Sequence, residues 1–99
     1  MNSLDGIRIL DLTRVLAGPW CTQTLADLGA EVIKVEPIGH GRNGDATRQL
    51  LGSGAGFFPM FNRNKKSIQL NLQSPEGAEM ARRLCATADV VAENFKPGS

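Results

Sequence analysis

The stretch GIRILDLTRVLAGPWCTQTLADLGAEVIKVE, residues 6–36, decides the fold. Ile7-Arg8-Ile9-Leu10 is a short run of branched residues between Gly6 and Asp11, the pattern of a buried strand. Thr13 to Gly18 then reads as a loop. Pro19 suits the first turn of a helix, where its missing N–H is not needed. Cys21, Leu25 and Leu28 recur at helical spacing, and Gly29 predicts a left-handed cap. Glu31-Val32-Ile33-Lys34-Val35-Glu36 is a second strand, ended by Pro37. Two strands joined through one helix run parallel with a right-handed crossover, so these residues predict a βαβ unit.

Working outward, the segment from Pro37 to Pro59 holds six glycines and little periodicity, and it predicts a long loop that either binds a ligand or is disordered without its partner. Ser67-Ile68-Gln69-Leu70-Asn71-Leu72 alternates strictly, which places Ile68, Leu70 and Leu72 on the buried face of a third strand. Ser74-Pro75-Glu76 has the chemistry of a helix start, and Met80, Leu84 and Ala88 form that helix's expected buried stripe. Asp89 to Asn94 supplies a fourth strand and Phe95-Lys96-Pro97-Gly98 a turn. The order predicts an α/β fold with a Rossmann-like parallel sheet. Ligands of such sheets lie beyond the carboxyl ends of the strands, which points to Asp11–Gly18, Glu36–Gly44 and Glu93–Gly98.

Composition narrows the function. The chain has 99 residues, 41% of them hydrophobic and 21% charged, enough for one packed core. Eleven basic residues against ten acidic ones offer no general attraction to nucleic acid or to an anionic membrane. No apolar run approaches the roughly 20 residues of a membrane span, and Met1-Asn2-Ser3-Leu4-Asp5 has no secretory pattern, so a cytoplasmic location is expected. Cys21 and Cys85 have no metal or disulfide spacing and read as small buried apolar residues.

Several rim residues have two readings. Leu16-Ala17-Gly18-Pro19 could bring a phosphate to the N–H groups of the helix start, or could simply be a tight connector. It lacks the Gly-x-Gly-x-x-Gly dinucleotide pattern. Glu36 stands where a ribose-binding acid would stand, although a strand-end acid is commonly just solvated. Asn62-Arg63-Asn64-Lys65-Lys66 could meet a diphosphate or form a solvated edge. His40 has no second candidate ligand for a metal. Arg8, Arg14, Arg48, Arg82 and Arg83 read as surface charges, and none of Asp11, Asp27, Asp45 and Asp89 has neighbours that mark a nucleophile.

Four segments, Leu4 to Pro19, Leu28 to Glu36, Asn62 to Ile68 and Ala88 to Gly98, together resemble the opening of family III CoA-transferases. The resemblance implies a large Rossmann-like domain that binds coenzyme A, a second smaller domain and an interlocked homodimer, in members several times longer than this chain. It implies an enzyme that moves CoA between an acyl-CoA thioester and a small carboxylic acid, with coenzyme A as substrate and no permanently bound cofactor or metal. A carboxylate attacks the thioester, which is covalent catalysis, and that aspartate is expected beyond Ser99. Carried over by position, Leu16 and Ala17 line the CoA site from the first loop, Leu70 from the third strand, and Asn94, Phe95 and Lys96 from the last turn. Pro37 and Gln73 stand where the formyl-CoA branch has an arginine and a lysine, which disfavours oxalate chemistry. An α-methylacyl-CoA racemase or a non-catalytic CoA-binding chain are the other readings. The isolated chain is expected to be partly molten or self-associating, because parallel strands need cover on both faces.

Overall fold

The computed structural model describes residues 3–14, 17–39, 42–50 and 55–95. Strand β1 (Arg8–Asp11) leads through helix α1 (Ala17–Asp27) to β2 (Glu31–Gly39). A two-residue β3 (Arg42–Asn43), one 3-10 turn (Ala46–Gln49) and a short α2 (Phe57–Asn62) follow. Strand β4 (Lys66–Leu70), helix α3 (Pro75–Thr87) and β5 (Val90–Ala92) complete the order. The parallel strands lie side by side as β4-β2-β1-β5, with Ile9 opposite both Val32 and Val90 and with Val35 opposite Ile68. Counting the parallel strands alone, this is the 3-2-1-4 order of a doubly wound sheet.

Local chemistry explains most boundaries. Gly29 takes φ 105° and closes α1, with its N–H on the Ala26 carbonyl and the next N–H on Leu25. Ser74 caps α3 by accepting the Gly77 N–H at 3.0 Å, with Pro75 at the first helical position. Ile9, Ala26, Ala30 and Val32 form the core between α1 and the sheet, joined by Leu4, Ile7 and Leu25.

Four expectations are corrected. Strand β2 passes through Pro37 to Gly39. Strand β1 has already ended in register at Asp11 opposite Lys34, so its ladder does not need the N–H that Pro37 lacks, while the Pro37 carbonyl accepts from Gly44 at 2.8 Å. The glycine-rich stretch carries regular structure in its described residues, where Asp45 caps the 3-10 turn by accepting from the Thr47 N–H. Helix α1 turns Pro19, Thr22, Gln23 and Ala26 inward, leaving Cys21 and Leu28 exposed and Leu25 half-buried. The rotation follows from what α1 faces at that level, which is the polar Asp11. Cys85 is exposed as well, and on α3 only Gly77 is buried while Met80 stays 43% exposed. That helix docks through its first turn, where Gly77 meets the chain at Asn71.

Candidate functional site

Beyond the carboxyl ends of the strands lies a small open cleft of about 40 Å³. Leu12, Val35, Pro37, Ile38 and Leu72 form its apolar walls, and Arg14, Gln73 and Phe95 its more polar mouth. Leu12 follows β1, and Leu72 and Gln73 follow β4, so the cleft exists because three strand ends open onto one space. The Asn94 side chain ties the mouth together. It accepts from the Arg14 N–H at 3.1 Å and donates to the Arg14 carbonyl at 2.9 Å. The Arg14 guanidinium lies 4.9 Å from the centre of the Phe95 ring.

The expected site residues fall unevenly. Phe95 lines the cleft and Asn94 positions Arg14 beside it. Leu70 ends β4 opposite Pro37 of the cleft wall and is half-buried. Ala17 is the exposed first residue of α1. Leu16, Lys96 and His40 lie outside the described residues. The space at Gly18 belongs to Thr13, whose Cβ would sit 2.4 Å from a Cβ added there, so only glycine allows the two segments to approach this closely.

Beneath the cleft, on the α1 side of the sheet, runs a buried tier of paired charges. Asp11 is fully enclosed, and its Oδ1 accepts from the Thr13 N–H at 2.9 Å and from the Thr13 hydroxyl. Its Oδ2 accepts from Thr22 at 2.7 Å and pairs with Lys65 Nζ at 2.9 Å. Lys34 pairs with Asp45 at 2.8 Å, both side chains 1% exposed. Arg48 grips Glu36 with two bonds of 2.6 and 2.8 Å and lies 3.8 Å from the centre of the Phe58 ring. The Asp45 N–H and the Ser67 hydroxyl also donate to Glu36.

This tier corrects further expectations. Glu36 is fully buried, not solvated, and Arg48 is its partner, not a free surface charge. Lys65 is consumed by Asp11, while Arg63 pairs with Asp27 and Lys66 with Glu31, so the basic run is engaged within the fold. Arg14 lies in the cleft wall. The available signal was the alternation Val32, Lys34, Glu36, which carries charges along the strand face that begins in the core.

Burial alone would push the Asp11, Glu36 and Asp45 carboxyls up, but the hydrogen bonds and cations around them outweigh it. All three stand below their ordinary values, Glu36 at about 2 instead of 4.5. For the Lys65–Asp11 pair, burial, with Lys34 nearby, holds the amine below its ordinary value despite the pull of Asp11. Acidification leaves that amine protonated and so acts through the carboxylates. Glu36 in the fold stays ionised until about pH 2, whereas the unfolded chain takes up its proton near 4.5. Its stabilisation is therefore complete above pH 4.5 and lost as the pH falls toward 2. Thermal melts should drop progressively across that window, and Glu36→Gln should flatten the drop; a melting temperature unchanged between pH 5 and pH 3 would contradict the assignment.

The comparisons with known proteins agree with this geometry. The family described as CoA-transferase family III matches residues 4–99. Succinyl-CoA:glutarate CoA-transferase of Mus musculus is 50% identical over 102 residues, covering 99% of this chain and 23% of that protein. Formyl-CoA:oxalate CoA-transferase of Rhodopseudomonas palustris is 48% identical over 101 residues, covering 98% of this chain and 23% of that protein. The crystal structure of Rv3272 from M. tuberculosis superposes with a TM-score of 0.90 at 47% identity, over 99% of this chain and 26% of the other. The chain thus spans about a quarter of the length of these relatives. With a match that runs unbroken through the sheet, the rim cleft and the ionic tier, the chain belongs to CoA-transferase family III.

Proposed function

We propose that the protein is a CoA-transferase that moves CoA from an acyl-CoA thioester to a carboxylic acid, with this chain supplying part of the CoA site. The observation that carries the reading is the cleft at the strand ends, where the topology of a doubly wound sheet seats its ligand. The site takes in Ala17, Leu70, Asn94 and Phe95, and extends to Leu16 and Lys96. Coenzyme A enters as substrate. Neither Asp11 nor Asp45 serves as the attacking carboxylate, because each is buried and bound to a lysine. Several similar proteins carry succinyl-CoA in their names, which makes succinyl-CoA the first donor to test and a dicarboxylic acid the first acceptor. A homodimer fits the reading, since Trp20 and Met60 leave apolar surface at 64% and 58% exposure. Residence in the cytoplasm fits the free cysteines, Cys21 and Cys85.

The native-length protein, incubated with succinyl-CoA and a panel of dicarboxylic acids, should yield the acceptor's CoA thioester and free succinate in equal amounts by mass spectrometry. Absence of exchange, together with deuterium uptake at the α-carbon of a 2-methylacyl-CoA, would replace this reading with a racemase.

A further inference from the structure

Nine lysines and arginines have described side chains, and eight of them lie within ion-pair distance of a carboxylate. The ninth is Arg14. Its guanidinium faces the Phe95 ring at 4.9 Å, at the mouth of the cleft. Its backbone is gripped on both sides by the Asn94 amide, so the residue is held where it stands before any ligand arrives. The cleft behind it is apolar, with Pro37, Ile38 and Leu72 among its walls.

From this pairing of an unpaired guanidinium, on a backbone held by Asn94, with an apolar cleft, we infer that Arg14 is the residue of this cleft that reads ligand charge. It takes a phosphate of the nucleotide end of CoA, while Phe95 and the apolar walls receive the base. This inference rests on the CoA reading above and adds to it the residue and the group recognised. Chemistry favours a phosphate because a guanidinium fork bonds two of its oxygens at once, and the ring beneath orients the fork without neutralising it. The eight other cations are screened by their own carboxylates, so the positive field in the cleft comes from Arg14 among the described residues.

Titration calorimetry of the native-length protein with free CoA tests the inference, since CoA carries no acyl carboxylate that could stand in for the phosphate. Arg14→Gln should weaken CoA binding roughly ten- to hundredfold. Acyl-exchange kinetics should show the same rise in KM for the acyl-CoA with kcat unchanged within about threefold, the mark of binding lost equally in ground and transition states. Arg14→Lys, which keeps the charge and loses the fork, should fall between, and it carries the test if the glutamine variant does not fold. Repeating the titration with 3′-dephospho-CoA separates the two phosphate sources. A gap between wild type and variant that closes assigns the 3′-phosphate, and one that persists assigns the diphosphate. Wild-type CoA affinity in both variants would overturn the role of Arg14 while leaving the CoA reading intact. Failure of the unaltered protein to bind CoA would overturn the reading on which it rests.

Discussion

Asp11→Ala is expected to cost about 3–5 kcal/mol, because it strands Lys65 as a buried cation with no counter-charge. The lysine is 1% exposed and cannot reach water without dismantling the contact between α1 and the sheet. Three further donors, the Thr13 N–H and the Thr13 and Thr22 hydroxyls, lose their acceptor in the same step. Native domains have total stabilities of roughly 5–15 kcal/mol, so this one change is large on that scale. Urea unfolding followed by circular dichroism should show the midpoint falling steeply. The matched control is Arg83→Ala, which breaks an exposed pair with Glu79 on α3 and should cost less than about 1 kcal/mol. Equal midpoints for the two variants would refute the account of a buried tier.

Gly77→Ala should destabilise although helix propensity favours it. Alanine inside a helix is worth about 1 kcal/mol over glycine. At this position, however, a Cβ would lie 1.9 Å from the Asn71 carbonyl oxygen and 2.6 Å from its carbon, both backbone atoms that cannot rotate away. The first turn of α3 must then lift off, which also breaks the bond from the Gly77 N–H to Ser74. Overpacking of this kind costs about 1–3 kcal/mol, and the lost cap about 1 more. Gly56→Ala serves as the comparison, since its φ is −84° and no atom lies within 4 Å of the added carbon. Thermal melts should separate the two by several degrees, and a Gly77→Ala protein as stable as the parent would mean that α3 does not dock as described.

Which elements form was legible from residues close together in the chain. The branched run at β1, the glycine after α1, the alternation around Ile68 and the Ser74-Pro75 start of α3 each state a local preference, and local preferences are written in neighbouring residues. The parallel pairing and the position of the rim cleft followed from the βαβ order, and Phe95, expected through the resemblance, lines that cleft.

The direction each charge faces could not be read in the same way. Asp11 meets Lys65 across 54 positions and Arg48 meets Glu36 across 12, so no window of sequence contains both partners. The same cause misled the reading of α1, whose apolar spacing named Cys21 and Leu28 while the fold buried Thr22 and Gln23. A polar residue is driven inward only when a distant partner compensates its desolvation, and that compensation exists only once the sheet has assembled. The sequence by itself determined the four parallel strands, the two long helices, their order and the family resemblance. The tertiary structure decided which charges are spent inside the protein and that, among the described residues, Arg14 is the one left facing the cleft, because ion pairing acts through space and not along the chain.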